Sequence, residues 1–167
     1  MHDNLLHGQK ITGDGNFMGH RPITNGMAGP YEWMSYNTAL KRVTNIGSAL
    51  VKRGYSQETN IGLFSINRPE WVLAEHACFK YNYVTVPLYD TLGEEAIDHI
   101  MNFCEVPVVF CTADKAAILY SIAGKLKHLK LIVLMNQPTA ELSGSASSSG
   151  IPFIEITKLE KLYLSDL

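Results

Sequence analysis

What this chain lacks narrows its class before any motif is found. It has three cysteines, Cys78, Cys104 and Cys111, an odd number set inside apolar segments. That excludes a disulfide framework and reads as thiols held in a reducing compartment. Charge of one sign is missing too: 14 Lys plus Arg stand against 16 Asp plus Glu, a net charge of -2. A basic surface for nucleic acid is thereby excluded, because phosphate binding draws on clustered cations. The densest basic run, Lys125, Lys127, His128 and Lys130, reads as a helix C-terminus complementing its dipole. No apolar run approaches the roughly 18 residues that span a bilayer. The opening Met1-His2-Asp3 has neither a basic n-region nor an apolar h-region, so no signal peptide is expected. The chain reads as intracellular and as soluble or peripheral, any membrane association being left to regions outside it.

What is present is enough apolar residue, 46% of the sequence, to build a core. Residues 1–34 are rich in Gly, Asn, His and Pro without a sustained period, and read as an irregular lead-in with turns at Gly13-Asp14-Gly15-Asn16 and Asn25-Gly26. Residues 35–136 alternate in period. The spacing predicts a helix from Ser35 to Arg53, with Tyr36, Leu40, Val43, Ile46 or Gly47 and Leu50 on one stripe, Ser35 as N-cap and Gly54 as its stop. A short apolar strand follows at Ile61–Phe64. Asn67-Arg68-Pro69-Glu70 opens a second helix, capped by Asn67 and striped by Trp71, Ala74, Ala77 or Cys78, and Tyr81. Val84–Leu88 is a strand, and Thr91-Leu92-Gly93-Glu94 has capping-box spacing for a helix striped by Ile97, Ile100 or Met101, and Cys104. Val108–Cys111, a helix over Ala113–Leu126, and a strand over Leu131–Met135 complete the alternation. Strands apolar on both sides, separated by helices, specify an α/β fold: a mostly parallel sheet with helices on both faces. Residues 137–150, with the run Ser143-Gly144-Ser145-Ala146-Ser147-Ser148-Ser149-Gly150, read as a low-complexity loop. Residues 151–167 read as a short strand within Ile151–Ile156, one helical turn and a tail.

The chemistry-bearing patterns are sparse. The first βα turn, Ser65-Ile66-Asn67-Arg68-Pro69, has no glycine to let a pyrophosphate approach the backbone, so a dinucleotide fingerprint is absent. The Ser/Gly run at 143–150 has no Lys to meet phosphate charge and is not read as a phosphate loop. Glu95 and His99, four apart on one predicted helix, supply two metal donors and no third; a solvated pair is the simpler reading, and Glu75-His76 is weaker still. No Ser sits in a Gly-x-Ser-x-Gly elbow. Trp71 is read as core, and Tyr89 and Asp90, at a strand's C-terminal end, as residues standing behind a ligand.

Three segments carry a resemblance. Gly29-Pro30-Tyr31-Glu32-Trp33-Met34-Ser35-Tyr36 resembles the Trp-x-x-Tyr lead of long-chain acyl-CoA synthetases, Asn60 through Trp71 resembles their first strand and its Asn-Arg-Pro-Glu-Trp turn, and Val86-Pro87-Leu88-Tyr89-Asp90-Thr91-Leu92-Gly93 resembles the strand end of the eukaryotic-type long-chain enzymes. Phe17-Met18-Gly19-His20-Arg21 is similar to the family's lead-in, so the likeness runs over roughly residues 18–162.

The resemblance implies the N-terminal part of the adenylate-forming enzyme fold. It also implies a parent fatty acid–CoA ligase that uses a long-chain fatty acid, ATP with Mg, and coenzyme A, at the endoplasmic reticulum, the peroxisome, another membrane or in the cytoplasm. The family's phosphate loop, its adenine- and ribose-binding residues and its mobile C-terminal domain lie downstream of the matched region. No catalytic residue and no metal ligand are therefore assigned to this chain, and its substrate- or nucleotide-binding residues stay unassigned. The expectation is an N-terminal fragment inactive alone. The alternatives are a non-enzymatic α/β module that binds a partner such as a full-length synthetase, and an unrelated nucleotide- or flavin-binding domain.

Overall fold

The computed structural model describes residues 2–162. Its elements in chain order are α1 (His2–Thr12), β1 (Asn16–His20), β2 (Ile23–Thr24), β3 (Met27–Ala28), β4 (Glu32–Ser35), α2 (Tyr36–Lys52), β5 (Asn60–Phe64), α3 (Pro69–Tyr81), β6 (Val84–Leu88), α4 (Glu94–Phe103), β7 (Val108–Cys111), α5 (Ala113–Ser121), a 3-10 turn (Ala123–Lys125), β8 (Leu131–Leu134), α6 (Ala140–Ser149), β9 (Phe153–Glu155) and α7 (Ile156–Lys161).

Period-2 alternation sorts the side chains of β5, β7 and β8 onto two cores. Ile61 and Leu63 of β5, Val108 and Phe110 of β7, and Leu131 and Val133 of β8 pack with Val43, Ile46 and Leu50 of α2, Leu73 and Ala77 of α3, and Leu159 of α7. The intervening Phe64, Val109, Cys111, Ile132 and Leu134 pack with Ile97 and Met101 of α4, Ala116 and Leu119 of α5, and Leu142 of α6. The sheet is parallel throughout, in the order β6-β5-β7-β8-β9. Phe64 is level with Leu88 on one side and Cys111 on the other, so the C-terminal strand ends share one edge. Chain direction across the sheet reverses between β5 and β7: β6 lies outward of β5 on one side, and β7, β8 and β9 run away on the other. That gap is the topological switch point, where ligands enter doubly wound sheets.

Local chemistry accounts for the best-defined helix. Ser35 Oγ accepts the Thr38 N–H at 3.3 Å, capping α2, and Gly54 takes the left-handed φ of +86° just beyond its end. Inside α2, Gly47 lets Tyr81 of α3 lie against the helix backbone: a Cβ there would meet the ring at 2.1 Å.

Four expectations are corrected. The stretch 1–34, expected to be irregular, is ordered over its described residues 2–34: α1 docks through buried Leu5, with Gly8 against Tyr36 and Gln9 donating to Asn37 at 3.1 Å. The rest forms antiparallel pairs, β1 with β4 and β2 with β3. Its apolar positions are too few to show a period, and α1 is seated by tertiary contact. Asn67 and Thr91 are not the caps. The N-cap positions are Arg68, followed by Pro69, and Gly93, and neither makes a side-chain cap bond. The helix expected over Ala113–Leu126 ends at Ser121 and tightens to the 3-10 turn around Gly124. The Ser/Gly run at 143–150 is not a loop but most of α6. Ser145, Ser147 and Ser148 turn their hydroxyls back onto the carbonyls four residues earlier, Leu142 is buried, and Gly150 ends the helix at φ +73°. Serine is a middling helix former, and one buried leucine plus a glycine stop is enough when the helix rests on α5. The expected last strand and turn correspond to β9 and α7, and the tail at 163–167 lies outside the described residues.

Candidate functional site

The C-terminal edge of the sheet gathers the turns that follow four strands. Ser65, Ile66, Asn67, Trp71, Pro87, Leu88, Tyr89 and Asp90 line a cleft of about 420 Å³ over the ends of β5 and β6. Ser65 is buried, its hydroxyl donating to the Ile66 carbonyl at 2.9 Å and lying 3.4 Å from Met135 Sδ. Pro87 sits in the outer strand, where a missing N–H costs no ladder bond. Ile66 (63% exposed) and Tyr89 (73%) stand open at the rim, so the cleft offers apolar and aromatic surface with Asn67 and Asp90 as its polar groups.

A side chain of α5 reaches across the switch point to the loop after β6. Lys115, in the first turn of α5 after β7, sends its ammonium over the Phe64 ring at 5.4 Å and donates to the Asp90 carbonyl at 2.8 Å, beyond β5. Only 15% of that side chain is exposed, and the Asp114 carboxylate lies 4.0 Å away. A lysine in a helix's first turn opposes the dipole; here the carbonyl and the ring face compensate, and the loop after β6 is tied to α5.

Two further ties hold the edge. Arg68 donates to Glu70 at 2.7 Å and to the Met135 carbonyl at 3.0 Å, joining the start of α3 to the turn after β8. Asn136 Oδ1 accepts the Ala113 N–H at 2.8 Å, so α5 is capped from the next βα turn while its own Thr112 makes no side-chain cap bond.

Sequence reasoning placed Tyr89 and Asp90 at a strand end, and the structure sets both on the cleft. Trp71 packs partly on the core and partly lines the cleft. Glu95 and His99 are exposed on α4, with His99 stacked on Phe103 at 5.9 Å. His76 is half-buried between Phe17 and Phe79. Lys115 and Asn136 were missed. The signal for Lys115 was a cation at a helix start, where the dipole disfavours it; for Asn136 only the fold supplies the partner.

The chemistry available is that of a wall. Burial pushes the Cys78 thiol up to about 12 and raises Cys111 further, so neither buried sulfur is a ready nucleophile. Among the described residues no three His, Cys, Asp or Glu side chains lie close enough to share a metal ion, and no helix is long and apolar enough to cross a membrane.

Comparison with known proteins adds to this geometry. Residues 16–160 match the family described as AMP-binding enzyme. The chain is 36% identical over 159 residues to long chain acyl-CoA synthetase 6, peroxisomal, of Arabidopsis thaliana, a match covering 95% of this chain and 23% of that protein. It is 38% identical over 167 residues to long-chain-fatty-acid–CoA ligase 1 of Cavia porcellus, covering 97% and 23%. Among solved structures, the adenylation domain of a carboxylate reductase from Mycobacterium chelonae has a TM-score of 0.83 at 13% identity, covering 96% of this chain and 28% of that one; this likeness concerns the fold alone. The chain thus spans about a quarter of the length of the curated relatives it matches.

Proposed function

The chain belongs to the AMP-binding enzyme family, and from that premise we propose that it serves as the N-terminal α/β part of a long-chain fatty acid–CoA ligase. The reading is carried by one observation: identity of 34–38% to proteins named as long-chain synthetases or ligases, sustained over 95–97% of the chain. In the proposed reaction a fatty acid carboxylate oxygen attacks the α-phosphorus of ATP, the bond to the β-phosphate oxygen breaks, and acyl-adenylate and pyrophosphate form. The thiolate of coenzyme A then attacks the acyl carbonyl, and AMP leaves as the thioester forms.

The residues present fit a supporting part in this. The first step needs dense positive charge around the phosphates. Here Lys115 and Arg68 are committed to backbone carbonyls of the same edge. Among the described residues no three His, Cys, Asp or Glu side chains cluster, so this edge offers no all-protein cage for magnesium, an ion that is ordinarily held by the phosphates with one or two carboxylates. What the edge does supply is a fixed cleft, with Tyr89, Ile66 and Trp71 as apolar surface.

The test is a chimera. Residues 16–160 replace the matching segment of the Cavia porcellus ligase, and palmitoyl-CoA formation is measured with palmitate, ATP and coenzyme A. Retained turnover is expected. A folded chimera that binds ATP yet forms no thioester overturns the reading. The 167-residue chain alone is expected to give no thioester, and turnover by a clean preparation would show that the chemistry lies within it.

A further inference from the structure

Four of the exposed large apolar side chains, Ile23, Met27, Tyr31 and Trp33, lie on one projecting element that the ligase reading does not use. β1 and β4 pair from Asn16 and Ser35 out to His20 and Glu32, and the ribbon continues through β2 and β3 to a two-residue turn at Asn25-Gly26, both at positive φ. That turn suits the twist of a tight hairpin. From His20 to Trp33 no residue is buried, so the segment stands out as an arm.

Its tip is apolar on both faces. Ile23 lies opposite Ala28 and Thr24 opposite Met27, so Ile23 and Met27 point to opposite sides of the ribbon. They are 67% and 73% exposed. A ribbon laid on a protein surface hides one face and needs only that face apolar. Apolar side chains on both faces suit an arm surrounded by apolar medium.

Behind the tip comes a girdle of amphipathic groups. Tyr31 and Trp33 stack at 5.6 Å, and the Arg21 guanidinium lies 5.8 Å from the Tyr31 ring centre. Arg21 also donates to the carbonyls of Gly29 at 2.7 Å and Ala28 at 3.1 Å, bracing the two strands. At about 3.3 Å per residue, Arg21 and Tyr31 stand about 7–10 Å behind Ile23 and Ala28. That order, apolar tip and then aromatic and cationic girdle, matches the polarity gradient from hydrocarbon to headgroups.

We propose that this arm seats the protein on a phospholipid bilayer, Ile23 and Met27 entering the outer hydrocarbon while Arg21 and Tyr31 sit among the headgroups. The inference is independent of the ligase reading. The occupant is a lipid surface, because one exposed element carries both faces of apolar tip and the girdle at the matching depth.

The test is flotation of the 167-residue chain with vesicles of phosphatidylcholine containing a minority of phosphatidylserine. Co-flotation is expected. Ile23→Ser with Met27→Ser is expected to lower partitioning about tenfold or more, with the thermal transition unchanged because neither side chain is buried. Thr24→Trp, which adds an interfacial aromatic at the tip, is expected to raise it. Phe103→Ser, which removes a 79%-exposed side chain on α4, should leave partitioning as it was. Absence of co-flotation overturns the proposal, as does an equal loss with Phe103→Ser, which would mean unspecific adhesion. A change of oligomeric state in the double variant with vesicle binding unaltered also overturns it, and would make a second copy the occupant.

Discussion

Gly47→Ala separates two effects of opposite sign. In a helix interior alanine is favoured over glycine by about 1 kcal/mol, so with open space at position 47 the change would stabilise α2. The structure leaves no such space. A Cβ at Gly47 would lie 2.1 Å from Tyr81 Cδ2, 2.2 Å from Cε2 and 2.7 Å from Cγ. The ring is not free to swing away. Its hydroxyl donates to the Thr44 carbonyl at 3.1 Å and lies 2.5 Å from Ser48 Oγ, and its face stacks on Tyr83 with centroids 6.4 Å apart. Either those bonds break or α2 and α3 move apart, loosening the packing of Val43, Ile46, Leu73 and Ala77. Overpacking of this kind costs about 3 kcal/mol at the upper end of its usual range, which leaves a net loss of about 2 kcal/mol, or a Tm lower by about 4–8 °C for a chain of this size. Gly144, in α6, has nothing within 4 Å of its would-be Cβ, so Gly144→Ala is expected to stabilise by about 1 kcal/mol. Urea unfolding of both variants gives the sign directly, through a shifted midpoint at constant slope. In a Tyr81→Ala background the Gly47→Ala penalty should vanish. If Gly47→Ala raises the midpoint as Gly144→Ala does, the close approach of α2 and α3 described above is wrong.

Four further outcomes are expected. Arg42 of α2 holds Glu160 of α7 by bonds of 3.1, 3.1 and 2.8 Å, with the side chains 21% and 12% exposed; Glu160→Gln should cost about 1–2 kcal/mol by urea unfolding, between exposed and buried pairs. His2 and His76 each bury an Nδ1 without a hydrogen-bond partner, and both are held below the ordinary value of 6.5, His2 by burial and then Lys80, His76 by burial and then His2. The unfolded chain therefore takes up protons first, stability falls as pH drops from 6.5, and His76→Gln should flatten that decline in melts taken across the range; Asp14 and Glu141 are both lowered too, chiefly by backbone hydrogen bonds, and act only further into acid. A thiol reagent should modify half-buried Cys104 in the native protein and reach buried Cys78 and Cys111 only after unfolding, which mass spectrometry resolves site by site. Lys115→Met should speed amide hydrogen exchange over residues 89–93 while leaving β8 protected, because the bond to Asp90 is what ties that loop to α5.

The alternation of apolar strands with striped helices already implied the parallel sheet and its two covered faces, because the periods of 2 and 3.6 are properties of the local backbone and survive in any context. The turn glycine at Gly54 and the Ser35 cap were readable for the same reason: donor and acceptor lie within a few residues. The strand end at Leu88 likewise put Tyr89 and Asp90 near an open edge. Where the pattern was thin, reading along the chain failed. α1 has a single buried side chain, Leu5, and the serines of α6 look like a linker until Leu142 finds the face of α5. The caps at Asn67 and Thr91 were plausible by spacing, yet the N-cap positions fall one and two residues later, at Arg68 and Gly93, and α5 takes its cap from Asn136, 23 positions away.

The sequence by itself thus determined the fold class, the order of the elements over residues 35–136 and, through three motif segments, the family. Tertiary structure alone decided that β5 stands between β6 and β7, that Lys115 spans the gap so made, that Tyr81 lies on Gly47, and that Ile23 and Met27 share a free arm. Those facts depend on which surfaces meet after the chain has closed, and the energies that select them act between residues tens of positions apart, where no local period leaves a trace.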